Sequence, residues 1–215
     1  MPTATDPPSK KGAERKSRIL DAALTIIGRD GLAALSMRTL ATEAGLPLGA
    51  VGYYFANKKQ LIGEAFDAHS QRELQRVVQT ISSIGDAGSG TDLAERLTDF
   101  VVEGLQNDAN SLVAEYEFLV EASRRPEVAR ASTAWLQALQ AQLANVLRRL
   151  GSSEPTTDAR LIMAAIAGLE VDNLTSDALT RMQTTAIRES LMRLVEALSL
   201  AWARNPPERR REKHS

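Results

Sequence analysis

The chain has 215 residues, 43 % of them hydrophobic, with no cysteine and two histidines, His69 and His214. That composition excludes a disulfide framework, a thiolate metal site and a cysteine nucleophile, and it leaves enough apolar side chain for a real core. The formal net charge of -1 hides a division: nine basic against five acidic residues leave +4 on residues 1–60, residues 61–203 carry -8, and residues 204–215 carry +3. A basic head on an acidic body fits a head that meets a polyanion, although small imbalances of this size also arise without meaning.

The first twelve residues, MPTATDPPSKKG, are polar and Pro-rich and read as a disordered arm. From Ala13 the period becomes helical, with Ile19, Ala22, Ala23, Ile26 and Ile27 on one face and Gly31 as the C-terminal cap. Ser36 caps a second helix, Met37 to Ala44, which Gly45 ends. Pro47 stands where a short third helix begins, and that helix runs to Tyr54 or Phe55. Asn57 caps a long fourth helix from Lys58 to about Ile84. Further helices are predicted over about 91–106, 110–124, 126–150, 157–178 and 181–204, and Asn205-Pro206-Pro207 ends the last. No stretch alternates with period two, so no strand is expected. The longest apolar run, Leu161 to Leu169, is too short to span a bilayer, and no signal peptide is read. The expected place is therefore the cytoplasm.

The stretch AGLPLGAVGYYFANKKQL, Ala44 to Leu61, concentrates the chemistry. Two helices joined through AGLPLG suggest a helix-turn-helix, with Gly45 allowing the tight turn. Glycine inside a helix costs about 0.5–1 kcal/mol relative to alanine, so Gly49 and Gly52 in one short helix need a reason. Close approach of the backbone to the DNA major groove, about 12 Å wide, supplies one. Tyr53 and Tyr54 can direct hydroxyls to phosphates, and Lys58 stands at a helix N-terminus, itself an anion site.

In SMRTLATEAGLPLGAVGYYFANKKQLIGEAF, Ser36 to Phe66, with ILDAALTIIGRDGLAAL before it, the chain resembles the TetR family of transcriptional regulators. The resemblance implies an all-α protein of about nine helices: a three-helix DNA-binding head over residues 13–57 and a larger helical domain over 58–204 for effector binding and dimerisation, with a basic disordered tail over 205–215. It implies that Ser36 caps the second helix and contacts phosphate, that Arg38 reaches a base edge or the groove, and that Leu48, Gly49 and Ala50 face bases. Tyr53 and Tyr54 would contact backbone and neighbouring bases, and Lys58 would bind phosphate. The family often has a tyrosine where Gly52 stands and a Ser or Thr where Pro47 stands. Solvated charge is the competing account of Arg38 and Lys58, and core packing that of Tyr54.

The body shows no Ser–His–Asp cluster and no GxxxxGK[ST] loop, so no enzyme and no cofactor are expected. Phe100, Tyr116 and Trp135 are candidate walls of an effector pocket, though each is also suited to plain core. Glu115, Glu117 and Glu121 lie either on a helix surface or against a ligand, for instance a cationic one. Ile162, Ala165, Ile166 and Leu169 form one stripe and Ile187, Leu191, Leu194, Leu198 and Trp202 another. They pack inward, or, as the resemblance implies, the last two helices pair with their copies in a homodimer, with small residues Ala164, Ala165, Ala167 and Gly168 allowing close packing. The implied partners are a palindromic double-stranded operator and an apolar or aromatic small molecule, and the expected function is a dimeric repressor released from the operator by that molecule. An activator or global DNA-binding protein without an effector is the alternative.

Overall fold

The computed structural model describes residues 10–82, 84, 88–174 and 179–204. Its elements in chain order are α1 (Lys10–Asp30), a 3-10 turn (Leu32–Ala34), α2 (Met37–Glu43), α3 (Leu48–Tyr54), α4 (Lys58–Ser82), α5 (Gly90–Asn107), α6 (Ala109–Ala122), α7 (Pro126–Arg149), α8 (Pro155–Asn173) and α9 (Arg181–Arg204). Every regular element among the described residues is helical, as the absence of period-two patterning predicts. Lys10, Lys11 and Gly12, read from sequence as part of the arm, instead form the start of α1. The good helix formers that follow, Ala13, Glu14, Arg15 and Lys16, are a local reason for the early start. Residues 1–9 and the tail 205–215 lie outside the described residues.

The chain divides into two compact units, one of residues up to Arg72 with Ala109–Ser132, the other of Glu73–Asp108 with the residues from Thr133 onward. The boundaries fall inside α4 and α7. In the first unit the predicted face of α1 is buried, Ile19, Ala22, Ala23, Ile26 and Ile27 included. Val51 and Phe55 are fully buried with them, and so are Leu40 and Leu61. α1 and α6 cross at backbone contact, because a Cβ on Gly28 would stand 2.0 Å from the Asn110 carbonyl oxygen. That crossing accounts for a glycine inside α1. Phe66 on α4 and Phe118 on α6 meet edge to face, with centroids 5.2 Å apart.

The turns of the head are set by local chemistry. The Ser36 hydroxyl accepts from the Thr39 N–H at 3.1 Å, and the Thr39 hydroxyl accepts from the Ser36 N–H at 2.9 Å. This reciprocal pair starts α2. At its other end Leu46 N–H donates to Ala41 C=O and Gly45 N–H to Thr42 C=O. That is the Schellman pattern, and it needs the left-handed φ of 63° that Gly45 adopts. Asn57 accepts from the Gln60 N–H at 2.9 Å and so caps α4 as predicted.

In the second unit α5 packs on α9, and α8 packs on both. Leu93, Val101, Leu147, Ala159, Ile162, Ile187 and Leu191 form the centre of its core. Of the two readings of the apolar stripes, the structure shows the inward one. Ile162, Ile187, Leu191 and Trp202 are buried within the unit, and Ile166, Leu169, Leu194 and Leu198 pack against the same core. The surface of α8 is carried by Leu161, Ala164, Gly168 and Val171, and that of α9 by Met182, Ala186, Ala197 and Leu200. Trp202 donates its indole N–H to Asp158 at 2.7 Å, and the Ser152 hydroxyl donates to the same carboxylate oxygen at 2.6 Å. The buried Asp158 is thereby satisfied.

Candidate nucleic-acid interface

α3 shows two faces within seven residues. Val51 and the following Phe55 anchor it to the head with no exposure at all. Leu48 is 51 % exposed and Tyr53 84 % exposed, and Gly49 and Gly52 are exposed beside them. A Cβ added to Gly49 or Gly52 would meet nothing within 4 Å. Packing inside the unit therefore gives no reason for glycine at either position. Ala50 is half-buried.

Tyr53 and Tyr54 meet edge to face with centroids 5.2 Å apart, and Tyr54 lies half-buried against Phe55 at 6.5 Å. The Tyr53 hydroxyl has no hydrogen-bond partner among the described residues. Arg38, on α2, is exposed, and its guanidinium has no ion pair among the described residues. Ser36 is half-buried, and its hydroxyl oxygen accepts from the Thr39 N–H of the α2 cap.

Lys58 is placed differently from a side chain reaching only outward. Its Nζ donates to the Leu32 carbonyl at 3.2 Å and approaches the Ala33 carbonyl at 3.5 Å, so it ties the start of α4 to the 3-10 turn. An ammonium has three donors, so one remains for an external acceptor. Ser36, Arg38, Leu48, Gly49, Ala50, Tyr53, Tyr54 and Lys58 all belong to the first unit.

The candidate pocket residues are split. Tyr116 is half-buried on α6 in the first unit, while Phe100 and Trp135 are buried in the second. A hollow of about 270 Å³, lined by Gln137, Gln140, Ala141, Ala144, Asn145, Arg148 and Thr156, contains none of the three. The α6 acids are engaged within their unit. Glu115 meets the buried His69 ring at 2.8 Å. Glu117 accepts from the Leu32 N–H at 3.3 Å, and Glu121 pairs with Arg125. Periodicity alone does not reveal the His69–Glu115 contact, because the two residues are 46 positions apart. Phe100 carries an unexpected neighbour: the Arg76 guanidinium lies over its ring, with Cζ 3.7 Å from the centroid. The one sequence sign of it is the Glu73–Arg76 spacing, which puts both charges on one side of a helix.

Residues 19–65 match the family described as bacterial regulatory proteins, tetR family, and residues 88–197 match the tetracyclin repressor-like C-terminal domain. The chain belongs to the TetR family. The nicotine-responsive transcriptional repressor HdnoR of Paenarthrobacter nicotinovorans is 32 % identical over 53 % of this chain. That match spans 57 % of the relative's own length. The transcriptional repressor KstR of Mycolicibacterium smegmatis is 31 % identical over 85 % of this chain and 86 % of its own. Among solved structures, the multidrug binding protein EbrR complexed with ethidium is 30 % identical, with a TM-score of 0.64 over 88 % of this chain and 99 % of that one. The chain is thus a DNA-binding transcriptional regulator of the TetR family and not an enzyme. Among the described residues no helix is long and apolar enough to cross a membrane.

Proposed function

We propose that this protein is a dimeric repressor that a small organic molecule releases from a palindromic operator. The observation that carries the reading is the outer face of α3. Two unneeded glycines lie there beside an exposed leucine and a tyrosine that is 84 % exposed. A backbone stripped of side chains can approach base edges closely, and the flanking Leu48 and Ala50 then meet bases or thymine methyls. Tyr53, Tyr54, Ser36 and the third proton of Lys58 serve the phosphates, and Arg38 serves a base edge or the groove. In this reading residues 13–57 are the DNA-binding domain and 58–204 the effector and dimerisation domain.

An apolar or aromatic effector is supported by the kind of molecule named with the relatives, nicotine for HdnoR and ethidium for EbrR. Phe100 and Trp135, both buried in the second unit, are its proposed aromatic contacts. α4 begins at Lys58, so an effector that favours another position of α4 changes how the two heads meet the operator. Only a difference in effector affinity between the two states can drive that change. The dimer is proposed to form through the outer faces of α8 and α9, and a two-fold axis places two heads about 34–36 Å apart on the DNA.

The test is selection of bound duplexes from a random DNA pool at stated salt, followed by challenge of the selected complex with aromatic compounds. A palindrome is expected to be enriched, and one compound class is expected to weaken its binding. Only general, salt-sensitive binding with no enriched sequence would overturn the reading.

A further inference from the structure

Arg76 occupies a setting that the chain itself has built for a planar cation. The guanidinium stacks on Phe100, with Cζ 3.7 Å from the ring centroid, and donates through Nη1 to the Phe100 carbonyl oxygen at 3.1 Å. It also donates through Nε and Nη2 to the Glu73 carboxylate, at 3.1 Å and 2.8 Å. Gly104, one turn further along α5, closes the floor: a methyl there would stand 3.4 Å from both terminal nitrogens. All four residues belong to the second unit.

The surroundings are more deeply buried than the group they hold. Phe100 is 9 % exposed and the Glu73 side chain 13 %, while the Arg76 side chain is 29 % exposed and so opens toward solvent. Glu73 and Arg76 are three apart on one helix. The pair is local to α4, and solvent reaches the exposed part of the arginine, so its side chain has a way out to water. If the arginine swings out, it leaves an aromatic face, a carboxylate, a carbonyl acceptor and a bare helix floor. Aromatic faces and carboxylates together recognise organic cations, and a planar one reproduces both the stack and the two-point contact.

We propose that Phe100, Glu73 and Gly104 form a subsite for a planar organic cation, an amidinium, guanidinium or cationic heteroaromatic, and that Arg76 fills it until such a ligand displaces it. Displacement breaks the link from α4 to the Phe100 carbonyl on α5. The cation subsite deepens the effector-released reading and rests on it only for this regulatory consequence.

The experiment is calorimetric titration of the full chain with benzamidine, a planar cation, and with benzamide, its neutral counterpart. Arg76→Ala removes the competitor and is expected to tighten benzamidine binding about tenfold while benzamide binding stays the same. Adding Glu73→Gln to Arg76→Ala is expected to abolish the gain. Unchanged or weaker benzamidine binding by Arg76→Ala overturns the proposal, and so does an equal gain for benzamide, which would mean a hole with no cation preference. Arg76→Met keeps the aliphatic stem if the alanine variant fails to fold, and it is read the same way by the rise in Tm on adding benzamidine. Operator release is measured separately. Tight benzamidine binding with the operator still held keeps the subsite and removes the regulatory reading. Release by neutral aromatics with no benzamidine preference does the opposite.

Discussion

At the end of α3, Tyr53 is 84 % exposed and Phe55, two positions on, is fully buried. Such alternation at the residue scale is legible in sequence, because neighbours in a helix point in different directions. Lys58 is less legible, since its carbonyl partners lie 25 and 26 positions away, in a 3-10 turn that the pattern does not announce. The two positive candidates of the head therefore separate by experiment. Arg38→Ala is expected to relax preference at one operator position, because its guanidinium is free to reach a base edge. Lys58→Ala is expected to weaken binding to all sequences alike and to lower the salt slope by about one. Binding of selected and scrambled duplexes over a salt series reads both, and a variant with wild-type affinity and specificity removes that residue from the interface.

Helix ends were legible because caps are local: Ser36, Gly45 and Asn57 act within a few residues of themselves. Helix crossings were not, because they join distant segments. Nothing in the local pattern around Gly28 tells that its Cα faces the backbone of Asn110. Gly28→Ala would force that backbone to shift and is expected to cost about 1–3 kcal/mol, despite alanine's better helix propensity. For a chain of this length each kcal/mol lowers Tm by about 2–4 °C, so calorimetry decides it, and an unchanged or raised Tm refutes the crossing. A second element-scale prediction concerns the start of α5. The Ser89 hydroxyl, and then its backbone N–H, hold the Asp92 carboxyl below its usual pKa of 3.8. A carboxyl lowered on folding contributes stability above its unfolded pKa, about 3.9, and loses it as pH falls through the lower folded value. Asp92→Asn should therefore narrow the difference in urea midpoint between pH 7 and pH 3. An undiminished difference would assign the acid sensitivity to other carboxylates, such as Glu95, which Arg188 holds below its usual range.

For the whole molecule, the stripes of α8 and α9 show what a sequence pattern leaves open. Ile162 and Leu191 are apolar at helical spacing, and that spacing does not say whether the face meets the rest of its own chain or a copy. The structure buries them within one unit. Leu161 and Val171 remain, 48 % and 50 % exposed, with Ala164 and Gly168 between them at helical spacing. An apolar, small-residue face on the outside of a packed unit gains nothing in a monomer and suits close approach of a second helix. Gly168 is the position at which the two possibilities give opposite results. A Cβ there meets nothing within 4 Å, so a larger side chain fits the single chain. In a two-fold interface through this face, Gly168→Glu would bring two like charges together and desolvate both. The variant is expected to sediment as a monomer at concentrations where the wild type is a dimer. Because each head then binds alone, its affinity for the palindrome should fall to that for a half-site, since the second contact no longer forms at high effective concentration. A Gly168→Glu protein that remains dimeric and keeps its operator affinity would put the two-fold axis on another face of the second unit.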